Sequence, residues 1–151
     1  MRCLDLGAGD LIVSKQLADL GLEVTAIDLM LPKSIPTNVH FVQADITTYQ
    51  PMGTFDIIIA NNVFQFCNRE RVLQELLPRL FSALASGGLL IIETFWGNPD
   101  PPFHKPIAST FTLADFEMYG KKIYGVQDSE TLKRNGQNTT FKYVDYVSRK
   151  T

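Results

Sequence analysis

The run Leu4-Asp5-Leu6-Gly7-Ala8-Gly9, followed nineteen residues later by Asp28, constrains this 151-residue chain more than any other feature. Residues 2–6 form a short, mostly apolar run suited to a buried strand. Gly7 and Gly9 permit a tight turn and close backbone approach to a ligand. Residues 10–21 then predict a helix, with Asp10 as its cap, and residues 24–28 a second strand ending in a carboxylate. Strand, glycine turn, helix and acid-tipped strand together make a nucleoside-binding half-fold. The carboxylate at the tip can accept two hydrogen bonds from a ribose diol.

Strands and helices continue to alternate. Pro32 and Pro36 exclude a long helix after Asp28. Residues 39–44 and 55–60 predict a third and a fourth strand, the fourth apolar enough to be buried on both faces. Asn68 can cap a helix running to about residue 86, kinked at Pro78. Its core-facing stripe is Val72, Leu73, Leu76, Leu77, Leu80, Phe81 and Leu84. Gly87-Gly88 ends it, and residues 89–95 predict a fifth strand. Residues 96–106 hold four of the eight prolines and read as a loop. Thr112 and Asp115 have the spacing of a cap for a short helix closed by Gly120. Two strands near 121–132 and 138–148 flank Asn135-Gly136, a hairpin signal. The expected fold is a single α/β domain over 1–151, doubly wound and Rossmann-like. Its mostly parallel seven-stranded sheet ends in an antiparallel β-hairpin.

Composition removes several classes. Hydrophobic residues at 45% and charged residues at 20% suit a packed domain rather than a disordered chain. No apolar run reaches the ~18 residues of a membrane span, and no secretory signal is visible, so no membrane partner is expected. Cys3 and Cys67 form no disulfide or metal-ligand framework, which fits a cytoplasmic protein without a metal. Residues 1–119 carry seven Lys/Arg against thirteen Asp/Glu, and residues 120–151 seven against three. That acidic body should repel nucleic acid, and the basic tail reads as a solvated hairpin edge.

The order acid-x-Gly-x-Gly from Asp5 to Gly9 resembles the first motif of the class I S-adenosylmethionine-dependent methyltransferases. A nicotinamide fingerprint would place a third glycine where Ile12 stands. The resemblance covers residues 2–95 motif by motif and extends loosely to the tellurite-resistance and small-molecule branch. It departs at Leu11, where the family commonly has a third glycine, and at Ser86, where the turn before strand five commonly has proline. The family has a helical roof before strand one, whereas this sequence begins at the strand itself, which implies either a fragment or a site more open than usual. The resemblance implies S-adenosyl-L-methionine as cofactor and methyl transfer to a small-molecule or inorganic-anion acceptor. A non-catalytic binding module of the same fold is the alternative, followed by a nicotinamide-dependent oxidoreductase.

By that resemblance the cofactor residues are Asp5, Gly7, Gly9, Asp28, Leu29, Asp45, Ile46 and Asn61. Asp28 matches the ribose acid and Asp45 the adenine amino acceptor, with Leu29 and Ile46 as the apolar walls. Asp5 either approaches the cofactor's amino group or simply orients the glycine turn. Asn62, Gln65, Phe66 and Trp96 are the candidate acceptor contacts. His104, in the proline-rich loop, and Glu93 are the candidate general bases, with a solvated loop histidine as the plainer reading of His104. An activated sulfonium methyl needs chiefly an aligned nucleophile, so a sparse catalytic signature is expected.

Overall fold

Five parallel strands form most of the sheet in the computed structural model, which describes residues 1–99, 106–134 and 136–151, without the side chain of Arg134. They are β1 (Arg2–Leu6), β2 (Glu23–Asp28), β3 (Val39–Gln43), β4 (Phe55–Asn61) and β5 (Leu84–Phe95). An antiparallel hairpin, β6 (Lys121–Arg134) and β7 (Gln137–Arg149), completes a seven-stranded sheet in the order β3-β2-β1-β4-β5-β7-β6. The expected fold class is therefore the one observed. The Asn135 of the hairpin turn lies outside the described residues; Gly136 supplies a positive φ of 80°.

Side-chain alternation divides the sheet into two faces. Leu4, Leu6, Ile58, Ala60, Leu90 and Ile92 pack with the helical segment that precedes β5. Cys3, Val24, Ala26 and Ile59 pack with α1 (Ile12–Asp19) on the other face. Cys3 is fully buried, and burial, then the Asp5 charge, pushes its thiol up to about 12. It is core filler, inert as a nucleophile at neutral pH.

The first helix is shorter than expected and Asp10 does not cap it. Leu11 occupies the cap position with φ 61°, no side-chain cap bond forms, and the Leu11 side chain is only 1% exposed. A left-handed leucine costs roughly 1–2 kcal/mol. Fully burying its side chain returns roughly 1.5–3 kcal/mol, so burial decides the conformation.

The next helical segment also departs from expectation. Asn68 does cap it, accepting the Arg71 N–H at 3.0 Å. After α2 (Arg69–Arg71), however, Val72–Leu76 widens into a π-helix, and α3 (Leu77–Ala83) ends three residues earlier than expected, with Leu84 already extended. Pro78 sits in the first turn of α3, where its missing N–H is tolerated. The π-turn replaces the expected kink because it shifts the hydrogen-bond ladder just before the proline. Lys150 then closes α3, its Nζ donating to the carbonyls of Phe81 (2.8 Å), Ser82 (3.2 Å) and Leu84 (2.7 Å).

The segment after β5 is fastened by Arg69. Its guanidinium donates to both carboxylate oxygens of Asp115 (2.8 and 2.6 Å) and to the Thr110 carbonyl (3.2 Å). Asp115 also completes the expected capping box with Thr112. Burial alone would raise the Asp115 carboxyl, but the Arg69 and Thr112 bonds prevail and hold it below its usual range. Asp115→Ala is expected to cost about 2 kcal/mol in urea denaturation at pH 7, through the lost cap and the stranded guanidinium. Because the folded carboxyl is lowered, that contribution is complete above the ordinary aspartate range. It is lost as pH falls through the lowered value, so wild type and variant should converge in acid.

Candidate functional site

The glycine turn leaves β1 at the sheet's carboxyl edge, beside the point where strand order reverses between β1 and β4. Gly7 and Ala8 both donate to the Ile27 carbonyl (2.8 and 3.1 Å), which ties the turn to β2. Gly7 has φ 69°, and a Cβ there would lie 2.3 Å from Val63 Cγ2. Gly9 has φ 52° and faces open space. The Gly9 N–H donates to Asp28 Oδ2 and the Met30 N–H to Asp28 Oδ1, each at 2.8 Å. Two backbone donors thus orient the Asp28 carboxylate at the tip of β2.

Asp5 lies beneath the turn, 3% exposed, and accepts the Ser14 hydroxyl of α1 at 2.5 Å. Burial raises its carboxyl, the Ser14 bond partly opposes this, and the Asp28 charge adds to it. The observed partner of Asp5 is therefore the helix that follows the turn. Leu29 is 64% exposed beside Asp28, whereas Ile46 is 5% exposed and belongs to the core. Asp45 follows β3 as an exposed acid, its Oδ1 accepting the Thr47 N–H (2.8 Å) and hydroxyl (2.7 Å). The Ala44 N–H bonds the Asp28 carbonyl at 3.0 Å, so the two acids share one sheet edge.

The tip of β4 carries a polar cluster. Asn61 ends the strand, and Asn62 turns left-handed at φ 53°. The Asn62 amide donates to Asn61 Oδ1 (2.8 Å) and to Glu93 Oε1. Gln65 is 1% exposed; its Oε1 accepts the Thr94 hydroxyl at 3.1 Å, and its carbonyl accepts the N–H groups of Ala108 and Ser109. Asn62, Gln65 and Phe66 open onto a cleft of about 580 Å³, whose other walls are Glu93 and Phe95 of β5, Glu130 and Leu132 of β6, and Phe141, Tyr143 and Asp145 of β7.

Trp96 does not line this cleft. Its indole N–H donates to the Asp128 carbonyl at 2.8 Å, and the Lys142 ammonium lies 5.9 Å from its ring centroid. His104 lies outside the described residues. The hairpin walls escaped the sequence reading, although the alternation of Phe141, Tyr143 and Asp145 was a signal that they share one face. Among the described residues no group of three metal-ligating side chains forms, and no helix is long and apolar enough to cross a membrane.

A family described as "Methyltransferase domain" matches residues 4–92. A malonyl-[acyl-carrier protein] O-methyltransferase of Pseudescherichia vulneris is 34% identical over 140 residues, covering 82% of this chain and 55% of the relative. The crystal structure of TehB from Haemophilus influenzae superposes with a TM-score of 0.81 at 23% identity, over 99% of this chain and 57% of the other. A Burkholderia thailandensis 1,6-didemethyltoxoflavin-N1-methyltransferase, solved with bound 1,6-didemethyltoxoflavin and S-adenosylhomocysteine, gives a TM-score of 0.73 at 22% identity, over 99% of this chain and 71% of the other. The chain belongs to the class I S-adenosylmethionine-dependent methyltransferases, and S-adenosyl-L-methionine is the cofactor of that family. It spans about half the length of the curated relatives it matches, from 38% to 57%.

Proposed function

We propose that this chain transfers the methyl group of S-adenosylmethionine to a small-molecule acceptor held in the cleft at the tips of β4 and β5. The observation that carries this reading is the abutment of Gly7 and Val63. It brings the glycine turn directly against the segment that opens onto the cleft, so a cofactor on the turn and an acceptor in the cleft would meet. The fit to the cofactor rests on the open space at Gly9 and on two acids along one edge, Asp28 half-buried and Asp45 exposed. Asp28 would hold the ribose diol, Asp45 the adenine amino group, and Leu29 with the edge of Ile46 the adenine faces. Asp5 would act through the turn it supports, and Asn61 would face the methionine part. The cofactor supplies an already activated methyl group, so the residues' task is alignment. Asn62, Gln65 and Phe66 would position the acceptor. Trp96 would serve indirectly, by fixing β6 at Asp128.

Calorimetric titration tests this. S-adenosylmethionine and S-adenosylhomocysteine should both bind, and NAD should not. Binding of NAD in preference to either would replace this reading with an oxidoreductase, and cofactor binding without turnover on any acceptor would favour the non-catalytic module.

A further inference from the structure

The charge in the cleft says what kind of acceptor fits it. Glu93 of β5 stands directly opposite Asp145 of β7 in the antiparallel ladder, and both point into the cleft. Like charges directly opposite each other on one sheet face are destabilising. Among the described residues, no lysine, arginine or histidine lines the cleft, and none forms an ion pair with Glu93, Asp145 or Glu130. Lys142 has the opposite parity and lies over Trp96 instead.

Two neighbours register the same field. Burial, then the Glu93 charge, raises the Asp145 carboxyl. The Tyr143 phenol is raised first by burial and then by Asp128, Asp145 and Glu130. One register step of two beyond the acid pair, Phe95 faces Tyr143, and Glu130 stands opposite Phe141 on the next ladder. Phe66 lies at the mouth, beside Asn62 and Gln65. Carboxylates at the inner end, beside Asn62, with aromatic rings beyond, make a site for a cation carried on an apolar body.

We infer that the acceptor is an amine on an aromatic or apolar framework, held as a cation by Glu93 and Asp145 with Glu130 at the outer end; this rests on the methyl-transfer reading. A carboxylate or inorganic oxyanion would meet three negative groups and no described positive one, which opposes the inorganic-anion alternative. For transfer, the bound ammonium passes one proton to the Asp145 carboxylate. The freed lone pair then forms the new N–C bond, while the pair of the breaking C–S bond stays on sulfur as a neutral thioether. The positive charge moves from sulfur to nitrogen and remains beside the acids.

The test titrates phenethylamine and its carboxylate counterpart 3-phenylpropionate into the full chain, both free and saturated with S-adenosylhomocysteine. The amine should bind at least about tenfold more tightly than the carboxylate. Asp145→Asn and Glu93→Gln should each weaken amine binding by roughly tenfold, the low end expected for a half-exposed charged hydrogen bond, without changing S-adenosylhomocysteine affinity. Asp145→Asn relieves a like-charge pair, so its thermal midpoint should hold or rise, which separates a lost contact from a lost fold. Glu130→Gln, on an exposed strand, gives a second variant that does not disturb packing. Equal or tighter carboxylate binding, no amine binding, or unchanged amine affinity in all three variants would overturn the inference. Failure of S-adenosylhomocysteine to bind while the amine still binds would count against the methyl-transfer reading and leave the cleft chemistry standing.

Discussion

Asp28→Ala should weaken S-adenosylmethionine binding by roughly 10- to 150-fold, the range that a charged hydrogen bond of about 1.5–3 kcal/mol implies. The carboxylate sits at the tip of β2 and is aimed by the Gly9 and Met30 N–H groups. Each carboxylate oxygen offers more than one acceptor site, so a ribose diol can be bound without breaking those bonds. Removing the side chain also releases both donors. Asp28 is exposed enough for water to replace it, so the fold should lose little. Asp28→Asn separates the two effects: one amide oxygen can still serve one backbone donor, while the amide nitrogen repels the other. Asp45→Asn should be milder than Asp28→Ala, because its oxygen can still accept from an adenine amino group. Calorimetry on each variant, with its thermal midpoint recorded, decides the matter. Unchanged affinity in folded Asp28→Ala would remove this acid from the cofactor site.

Gly7→Ala should be the most damaging small substitution, at about 3 kcal/mol or more, while Gly9→Ala should cost only about 1–2 kcal/mol. Both positions have positive φ, 69° and 52°, so both pay the left-handed penalty of an L residue. They differ in their surroundings. An added Cβ at Gly7 meets Val63 Cγ2 at 2.3 Å and Val63 Cβ at 2.5 Å; at Gly9 it meets nothing within 4 Å. Overpacking of this kind typically adds 1–3 kcal/mol. Urea denaturation of the two variants side by side measures the difference, and equal losses would sink the steric account. Val63→Gly in the Gly7→Ala background should recover part of the loss but not the backbone share.

The strands of the parallel half were legible because each is a short apolar run bounded by turn residues. Their parallel pairing followed from the alternation of strands and helices, whereas the strand order β3-β2-β1-β4-β5 is seen only in the fold. Helix boundaries were less legible. Leu11 delayed the start of the first helix because a buried side chain outweighed a local backbone preference. The π-turn before Pro78 depends on how Val72, Leu76 and Leu77 seat together in the core, which no local pattern encodes. At the site, Gly7, Gly9, Asp28, Asp45 and Asn61 lie along one sheet edge, whereas Asp5 sits beneath the turn and Ile46 in the core. The acidic walls of the cleft did not announce themselves, because Glu93 and Asp145 are fifty-two positions apart and meet only through strand register. Trp96 shows the converse. It shares the parity of Ile92 and Thr94, which face the core, whereas Glu93 and Phe95 face the cleft.

The hairpin gives the molecule two parts with different assembly histories. β6 and β7 pair across a tight turn, Arg134 opposite Gln137, so their ladder can close on the microsecond scale of isolated hairpins. β1 must find β4, more than fifty residues away, before the glycine turn has its neighbours. Loop closures of that length come late and link many side chains at once. The locally encoded part holds five walls of the cleft, and the globally encoded part holds the glycine turn and Asp28. Side chains on the open face of β6 and β7 can therefore change the shape and charge of the cleft without disturbing the slower assembly that builds the glycine-turn half.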